Sequence, residues 1–270
     1  MKKSLVSLMG VAIGSAASPA FAQEGPFAPI EVADGVTLDP IVAARLRYET
    51  VDQDNGLKDA DALTARLRAG VEIKAGIVSL LAETEGTLAL AADYNDTLPF
   101  NGVEPFPVVA DPENFELNRL QVAVMDGGTG ATIGRQRIIL DDARFVGNVG
   151  WRQNEQTFDA VRAQGKIGPV ALDATYAISQ RTIFGIDSPN AHFDGDMILL
   201  NGGIDVKIAQ VKAFAYLLDY DDEKPARLVY SSQSYGFRAI GAVPIGETFK
   251  LDYLASYARQ SDYGDNPTSY

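Results

Sequence analysis

Most of the chain alternates strictly between apolar and polar residues. In residues 62–74, Leu63 and Leu67 occupy one phase, and Arg66 and Arg68 occupy the other. Because successive side chains of a β-strand point to opposite faces, this period predicts strands that are apolar on one face and charged on the other. The charged face of such a strand meets bulk water or lines a water-filled lumen, and in the second case the apolar face meets lipid.

The alternation predicts an all-β chain with short and long connections in turn. Eleven strands are expected, near residues 42–50, 62–74, 77–91, 115–125, 131–140, 156–166, 170–183, 197–208, 211–221, 231–243 and 247–259. The short connections are rich in glycine and proline, as hairpin turns require, and longer loops lie between them. This rhythm is typical of an antiparallel transmembrane β-barrel in an outer membrane, with the long loops outside.

The N-terminal residues predict export. Two lysines give residues 1–22 a positive start, an apolar run covers residues 5–17, and residues 20–22 read Ala-Phe-Ala, a small-x-small cleavage site. We interpret residues 1–22 as a cleaved Sec signal peptide, residues 23–40 as a periplasmic lead-in without alternation, and residues 41–270 as the barrel. An exported protein of this kind is periplasmic, secreted or located in the cell outer membrane.

The amino-acid composition excludes several kinds of site and partner. The chain has no cysteine, which excludes a disulfide framework and thiolate metal sites. Its formal net charge of −13 at pH 7 disfavours nucleic acid as a partner. The acidic loop segment Asp52-x-Asp54-x-Gly56 lacks the remaining ligands of a calcium loop, so no metal site is predicted.

Arginines recur in one phase of four predicted strands. They are Arg45, Arg47, Arg66, Arg68, Arg119, Arg135 and Arg137. An arginine in the lipid band costs about 2–4 kcal/mol at the midplane, so we expect these side chains to point inward. They could pair with lumen acids, namely Glu49, Glu72, Glu116 and Asp173, as an ionic network that fills the barrel. Alternatively they form a ladder of guanidiniums that offers successive weak sites to carboxylates or phosphates, which their recurrence favours.

One part of the chain resembles a known family. Residues 131–162, ATIGRQRIILDDARFVGNVGWRQNEQTFDAVR, with Asn-Arg-Leu-Gln at 118–121, look like the core signature of the alginate-export outer-membrane porins of Gram-negative alphaproteobacteria. The resemblance implies a monomeric barrel whose arginine-lined pore conducts an anionic sugar polymer or a smaller anion. By this resemblance, the residues expected to line the pore are Arg119, Arg135, Arg137, Arg144, Arg152 and Arg162. With the strand pattern, the candidate channel-lining residues are Arg45, Arg47, Arg66, Arg68, Arg119, Arg135, Arg137, Arg144, Arg152 and Arg162.

The strand count predicts an incomplete barrel. Wide solute pores have roughly 16–18 strands, and bacterial single-chain barrels have an even number. An eleventh strand that ends outside cannot close, and the tail SDYGDNPTSY lacks the aromatic-ended last strand expected for recognition by the barrel-assembly machinery. We therefore expect the N-terminal part of a longer barrel; a hidden twelfth strand is the alternative.

Catalysis finds little support in the sequence. The chain has one histidine, His192, in a predicted loop, and no Gly-x-Ser-x-Gly, HExxH, P-loop or GxGxxG motif occurs. We predict neither an enzyme nor a cofactor. Three functions remain: an anion porin, a plugged structural barrel that anchors the outer membrane or binds lipopolysaccharide, and a secreted two-sheet sandwich that binds glycans. The expected partners of a barrel are outer-membrane lipid and lipopolysaccharide, the assembly machinery, and an anionic solute or polysaccharide.

Overall fold

The computed structural model describes residues 27–221, 225–246 and 248–270, so the predicted signal peptide at 1–22 lies outside the described residues. The described chain forms one antiparallel sheet whose twelve strands pair in sequence order. The elements are β1 (Ile30–Ala33), β2 (Val36–Val51), β3 (Ala60–Ala75), β4 (Val78–Asp93), β5 (Asn114–Asp126), β6 (Thr129–Gln136), β7 (Thr157–Ile167), β8 (Val170–Arg181), β9 (His192–Val206), β10 (Ala209–Tyr220), α1 (Pro225–Leu228), β11 (Ser232–Ile245) and β12 (Phe249–Asp262). No helix in these ranges is long and apolar enough to cross a membrane.

All eleven predicted strands are present, as β2 to β12, but the count was one too low. β1 and the start of β2 lie within residues 23–40, where we expected no strand, and Gly35 turns between them with φ +69°. β2 also contains a proline, Pro40. β1 pairs with β2 only as far as Leu38, so Pro40 lies where β2 is an edge strand of the described sheet, and an edge tolerates proline.

The outer face of the sheet is apolar. One cross-strand row consists of Val122, Ile133, Val161, Tyr176 and Ile198, which pair in turn from β5 to β9. Each of these side chains is 38–58% exposed although it is surrounded by further apolar residues on the same face. A continuous exposed apolar face of this kind suits contact with lipid hydrocarbon.

The inner face is polar and largely covered. Thr64 of β3, Glu83 and Glu85 of β4, and Asn118 of β5 are each at most 2% exposed. A two-sheet sandwich would bury its apolar faces between the sheets, whereas this single sheet turns its apolar face outward and its polar face inward. The secreted-sandwich interpretation is therefore wrong, and the antiparallel barrel wall is confirmed.

The sixth strand is shorter than predicted. The alternation suggested a strand over 131–140, but β6 ends at Gln136. The apolar residues Ile138 and Leu140 are buried in an inner cluster instead, together with Phe158 and Met197. The pattern continued past the strand because these apolar residues pack against the inside of the sheet.

Adjacent residues of β5 test the assignment of the two faces. We expect Leu120→Arg, on the outer face, to impair insertion into lipid vesicles, because a lipid-facing arginine costs about 2–4 kcal/mol near the midplane. Gln121→Arg, one residue along on the inner face, should insert like the parent protein. Folded fractions from the heat-dependent electrophoretic shift check both variants, and equal impairment would show that the faces are misassigned.

Candidate functional site

The connection between β6 and β7 folds back along the inner face of the sheet. We call residues 137–156 the inner loop. Gln153 donates from Nε2 to the carbonyl oxygen of Thr64 on β3 at 2.9 Å, and Thr87 Oγ1 on β4 donates to Asn154 Oδ1 at 2.7 Å. Both loop side chains are fully buried. The inner loop is therefore packed against the polar wall formed by the first strands.

A buried carboxylate, Glu155, forms the centre of this packing. Its oxygens accept hydrogen bonds from Arg137 Nε at 2.7 Å, Asn118 Nδ2 at 2.6 Å and Asn148 Nδ2 at 2.9 Å. Arg68 Nη2 of β3 lies 3.3 Å from Glu155 Oε2. The side chain thus joins β3, β5 and both ends of the inner loop at one point.

The charge of Glu155 is stabilised by these partners. Burial by itself raises the pKa of this carboxyl, but the guanidiniums of Arg137 and Arg68 and the hydrogen bonds lower it to about 2. Glu155 is therefore ionised at neutral pH, and its ion pairs hold the inner loop against the wall.

A bulge in β5 supports the same network from the wall side. The register between β4 and β5 shifts at Asn118, so that Asn118 and Arg119 both face inward. Both donate to Glu83, Asn118 Nδ2 at 2.7 Å and Arg119 Nε and Nη2 at 2.9 and 2.7 Å. Asn118 therefore bridges the carboxylates of Glu83 and Glu155.

A second ion-pair cluster surrounds Asp111, a buried residue of the loop between β4 and β5. Arg47 of β2 contacts Asp111 and Glu49, each at 2.5 Å. Arg152 of the inner loop lies 3.1 Å from Glu49 and 3.7 Å from Asp111. The backbone N–H of Gln153 donates to Asp111 Oδ1 at 2.8 Å. Two long loops and β2 are therefore linked by alternating charges.

The other end of the inner loop packs on the opposite wall. Asp141 accepts from Lys212 of β10 at 2.7 Å, and Asp142 lies 2.9 Å from Arg238 of β11. The ring of Phe145 packs 5.1 Å from that of Phe214. The inner loop consequently crosses the space inside the sheet and contacts both walls.

Strained backbone lies within the inner loop. Asp141, Ala143 and Val149 have φ values of +55°, +60° and +52°. A positive φ is especially unfavourable for the β-branched Val149, and such strain persists only where surrounding contacts impose it. Asp141 is held by its pair with Lys212, and the carbonyl oxygen of Val149 accepts from the N–H of Arg152 at 3.0 Å.

Most of the predicted arginines are paired with carboxylates. Those in ion pairs on the inner side are Arg47, Arg68, Arg119, Arg137, Arg152 and Arg162. For Arg162 the partner is Asp173 of the adjacent β8, one of the acids named for the ionic network. Sequence reasoning had missed Glu83, Glu85, Asp111 and Glu155. The shared phase of Glu83 and Glu85 in a predicted strand was a usable signal, whereas nothing local marked Asp111 or Glu155.

Arg45 and Arg66 differ from the other arginines. They lie directly opposite each other on β2 and β3, and neither forms an ion pair in the described part of the chain. Arg45 Nη1 donates to the carbonyl oxygens of Gly150 and Arg152 at 2.8 and 3.1 Å, and Arg66 Nη1 donates to that of Gln153 at 3.4 Å. Arg66 Nε is buried without a hydrogen-bond partner among the described residues. Two adjacent guanidiniums therefore lie beside the inner loop without a carboxylate within 4 Å in the described part of the chain.

Arg144 and Arg135 complete the predicted set. Arg144 is an exposed residue of the inner loop whose backbone N–H contacts Asp142 at 3.4 Å. Arg135 lies opposite Leu120 on the outer face, and its Nε and Nη2 donate to Asp159 at 2.8 and 2.9 Å. The expectation that Arg135 points inward was wrong. It shares the phase of Ile133, and pairing with Asp159 offsets its charge on the apolar face.

A cavity of about 550 Å³ lies between the inner loop and the wall formed by β7 to β10. We call it the loop cavity. Trp151 and Asn148 line it from the loop, and Phe158, Leu218 and Tyr220 line it from the wall. The space inside the sheet is thus divided into a charged side filled by the inner loop and a more apolar side that stays open.

A family model described as alginate export matches residues 43–220. The match runs from β2 to the last residue of β10 and includes the whole inner loop. A sequence comparison with curated proteins finds no match.

Solved outer-membrane protein structures share the fold at low sequence identity. OccAB1 from Acinetobacter baumannii has a TM-score of 0.63 and 14% identity, over 83% of this chain and 52% of its own. A BenF-like porin from Pseudomonas fluorescens Pf-5 has a TM-score of 0.60 and 13% identity, over 87% and 60%. The outer membrane protein opdK from Pseudomonas aeruginosa has a TM-score of 0.56 and 15% identity, over 87% and 59%. The chain spans about half to three fifths of the length of these structures.

Neutralising Glu155 tests its role in holding the inner loop. We expect Glu155→Gln to lower the free energy of unfolding by about 3–5 kcal/mol, because it removes the buried carboxylate that binds Arg137 most closely and leaves Arg68 with Glu85 alone. Hydrogen exchange of residues 141–152 should accelerate at the same time. Glu113→Gln is the matched control, since Glu113 is exposed and accepts only from the N–H of Ala89. Unchanged exchange in Glu155→Gln would contradict the proposed role.

The lowered pKa of Glu155 predicts how the inner loop responds to acid. A carboxyl whose pKa falls on folding stabilises the fold above its unfolded pKa, near 4.3, and this contribution disappears as the pH falls through about 2. The inner loop should therefore stay in place between pH 7 and pH 5 and be released between about pH 4 and pH 2. Protease accessibility of the loop measured across that range checks the direction, and release near pH 6 would contradict it.

Proposed function

The chain belongs to the alginate export family, and on that premise we propose that it is part of an outer-membrane channel for anionic solutes, such as acidic sugars or polysaccharide. The apolar outer face and polar inner face support a channel wall, because a barrel of this kind meets lipid outside and water inside. Outer-membrane porins with the same fold support this location. Export through a cleaved signal peptide and insertion by the barrel-assembly machinery complete the proposal.

The pair Arg45 and Arg66 carries the proposal of anion preference. Other inner arginines are offset by carboxylates, so they add little net charge to the lumen. Arg45 donates to the carbonyl oxygens of Gly150, Trp151 and Arg152, which leaves two of its five N–H donors without a partner, and Arg66 donates to that of Gln153 alone. Like charges facing each other on one sheet face repel, and a carboxylate or phosphate that binds between them relieves that repulsion.

The inner loop favours a second candidate, a plugged barrel that serves a structural role or binds lipopolysaccharide. The loop fills the charged side of the lumen, and its ion pairs neutralise most arginines there. The two candidates differ in conductance. A plugged barrel passes no steady current, whereas a channel conducts through the side that the loop leaves open.

Planar-bilayer recordings of the complete reading frame test the channel. We expect steady conductance with anion preference, measured as reversal potentials in asymmetric KCl. Replacing Arg45 and Arg66 together by glutamine should reduce the anion-to-cation permeability ratio severalfold, because the two uncompensated charges are lost. Arg135→Gln is the matched control: this arginine lies on the outer face, so the ratio should not change.

The results separate the candidates. An absence of steady current would support the plugged barrel. A steady current whose selectivity ignores the Arg45 and Arg66 replacements would contradict the proposed anion site while leaving the channel itself in place.

A further inference from the structure

The loop cavity has a lining that differs from the arginine wall. It opens between the inner loop and β7 to β10, with a volume of about 550 Å³. No arginine or lysine lies among its described lining residues, and Asp142 is the one charged side chain there. Asp142 is itself paired with Arg238 at 2.9 Å, so the described lining offers a carboxylate or phosphate no unpaired cation.

A chain of side-chain hydrogen bonds crosses the cavity lining. Tyr220 Oη donates to Gln180 Oε1 at 2.9 Å, and Gln180 Nε2 donates to Gln156 Oε1 at 2.8 Å. Gln156 Nε2 in turn donates to the carbonyl oxygen of Gly147 at 2.8 Å. Each link fixes the orientation of the next amide. The cavity thus has ordered donors and acceptors that can exchange partners with the hydroxyl groups of a solute.

An aromatic surface lies beside these amides. Trp151 lines the cavity and remains 57% exposed, although the guanidinium of Arg152 stacks 3.9 Å from its ring centroid. The half-buried Leu218 adds apolar surface on the wall, and the buried Phe158 and Leu199 lie behind it. The lining therefore combines an exposed indole, apolar surface and amide groups, and the guanidinium of Arg152 beside the indole is paired with Glu49.

We propose that the loop cavity is a binding subsite for uncharged sugar rings. A pyranose ring has C–H faces that pack on aromatic and aliphatic side chains and hydroxyl groups that bond to amides, which is the combination present here. The subsite rests on the proposed channel, because solute reaches the cavity only through an open lumen.

The single tryptophan of the chain provides the measurement. The folded protein in detergent is titrated with a neutral glucose trisaccharide and, separately, with sodium acetate, while Trp151 emission is followed. We expect a saturable change with the trisaccharide and none with acetate. Gln180→Leu should weaken trisaccharide binding about tenfold, because it breaks the amide chain at its centre. Gln121→Leu, on the inner face of β5 and outside the cavity lining, should leave binding unchanged.

The outcomes separate this subsite from the channel proposal. Steady conductance without any response of Trp151 to the trisaccharide would overturn the subsite alone. Equal responses to acetate and trisaccharide, or equal losses in Gln180→Leu and Gln121→Leu, would overturn it as well. Trisaccharide binding that survives replacement of Arg45 and Arg66 by glutamine, while anion preference is lost, would support separate sites for ring and charge.

Discussion

The arrangement inside the sheet depends on one buried carboxylate, Glu155. Removing a carboxylate from water is costly, and only paired charges and hydrogen bonds make its burial tolerable. Arg68 and Arg137 provide the charges, and Asn118 and Asn148 provide the hydrogen bonds. Because these partners come from β3, β5 and the inner loop itself, satisfying Glu155 places the loop across the inside of the sheet.

The position of the inner loop divides the arginines into two groups. Those beside it, such as Arg47 and Arg152, are used to bind acids of neighbouring segments and stabilise the loop. Arg45 and Arg66 instead bind carbonyl oxygens of the loop and form no ion pair among the described residues. The arginines without a carboxylate partner are therefore concentrated at one place, and the open side of the loop contains Asp142 paired with Arg238.

The strands could be predicted from the sequence because the alternation of apolar and polar residues is a local pattern. Leu67 and Arg68 lie on opposite faces for no other reason than the period of a β-strand, and all eleven predicted strands are present. The same reasoning failed where a strand is shorter than the pattern suggests. β1 has four residues, too few for an alternation to stand out, and the pattern after Gln136 reflects packing on the inner wall. Arg135 was assigned to the wrong face because the cost of a lipid-facing arginine was weighed without its partner Asp159.

The sequence by itself determined the fold class, the order of the strands and the face of most side chains, since each follows from residues close together in the chain. The tertiary structure decided which charges cancel. Arg68 pairs with Glu85 from the neighbouring strand, whereas Arg45 binds the carbonyl of Gly150, more than a hundred residues away. Electrostatic pairing depends on distance in space, and an inward-folded loop brings together residues that no local pattern relates.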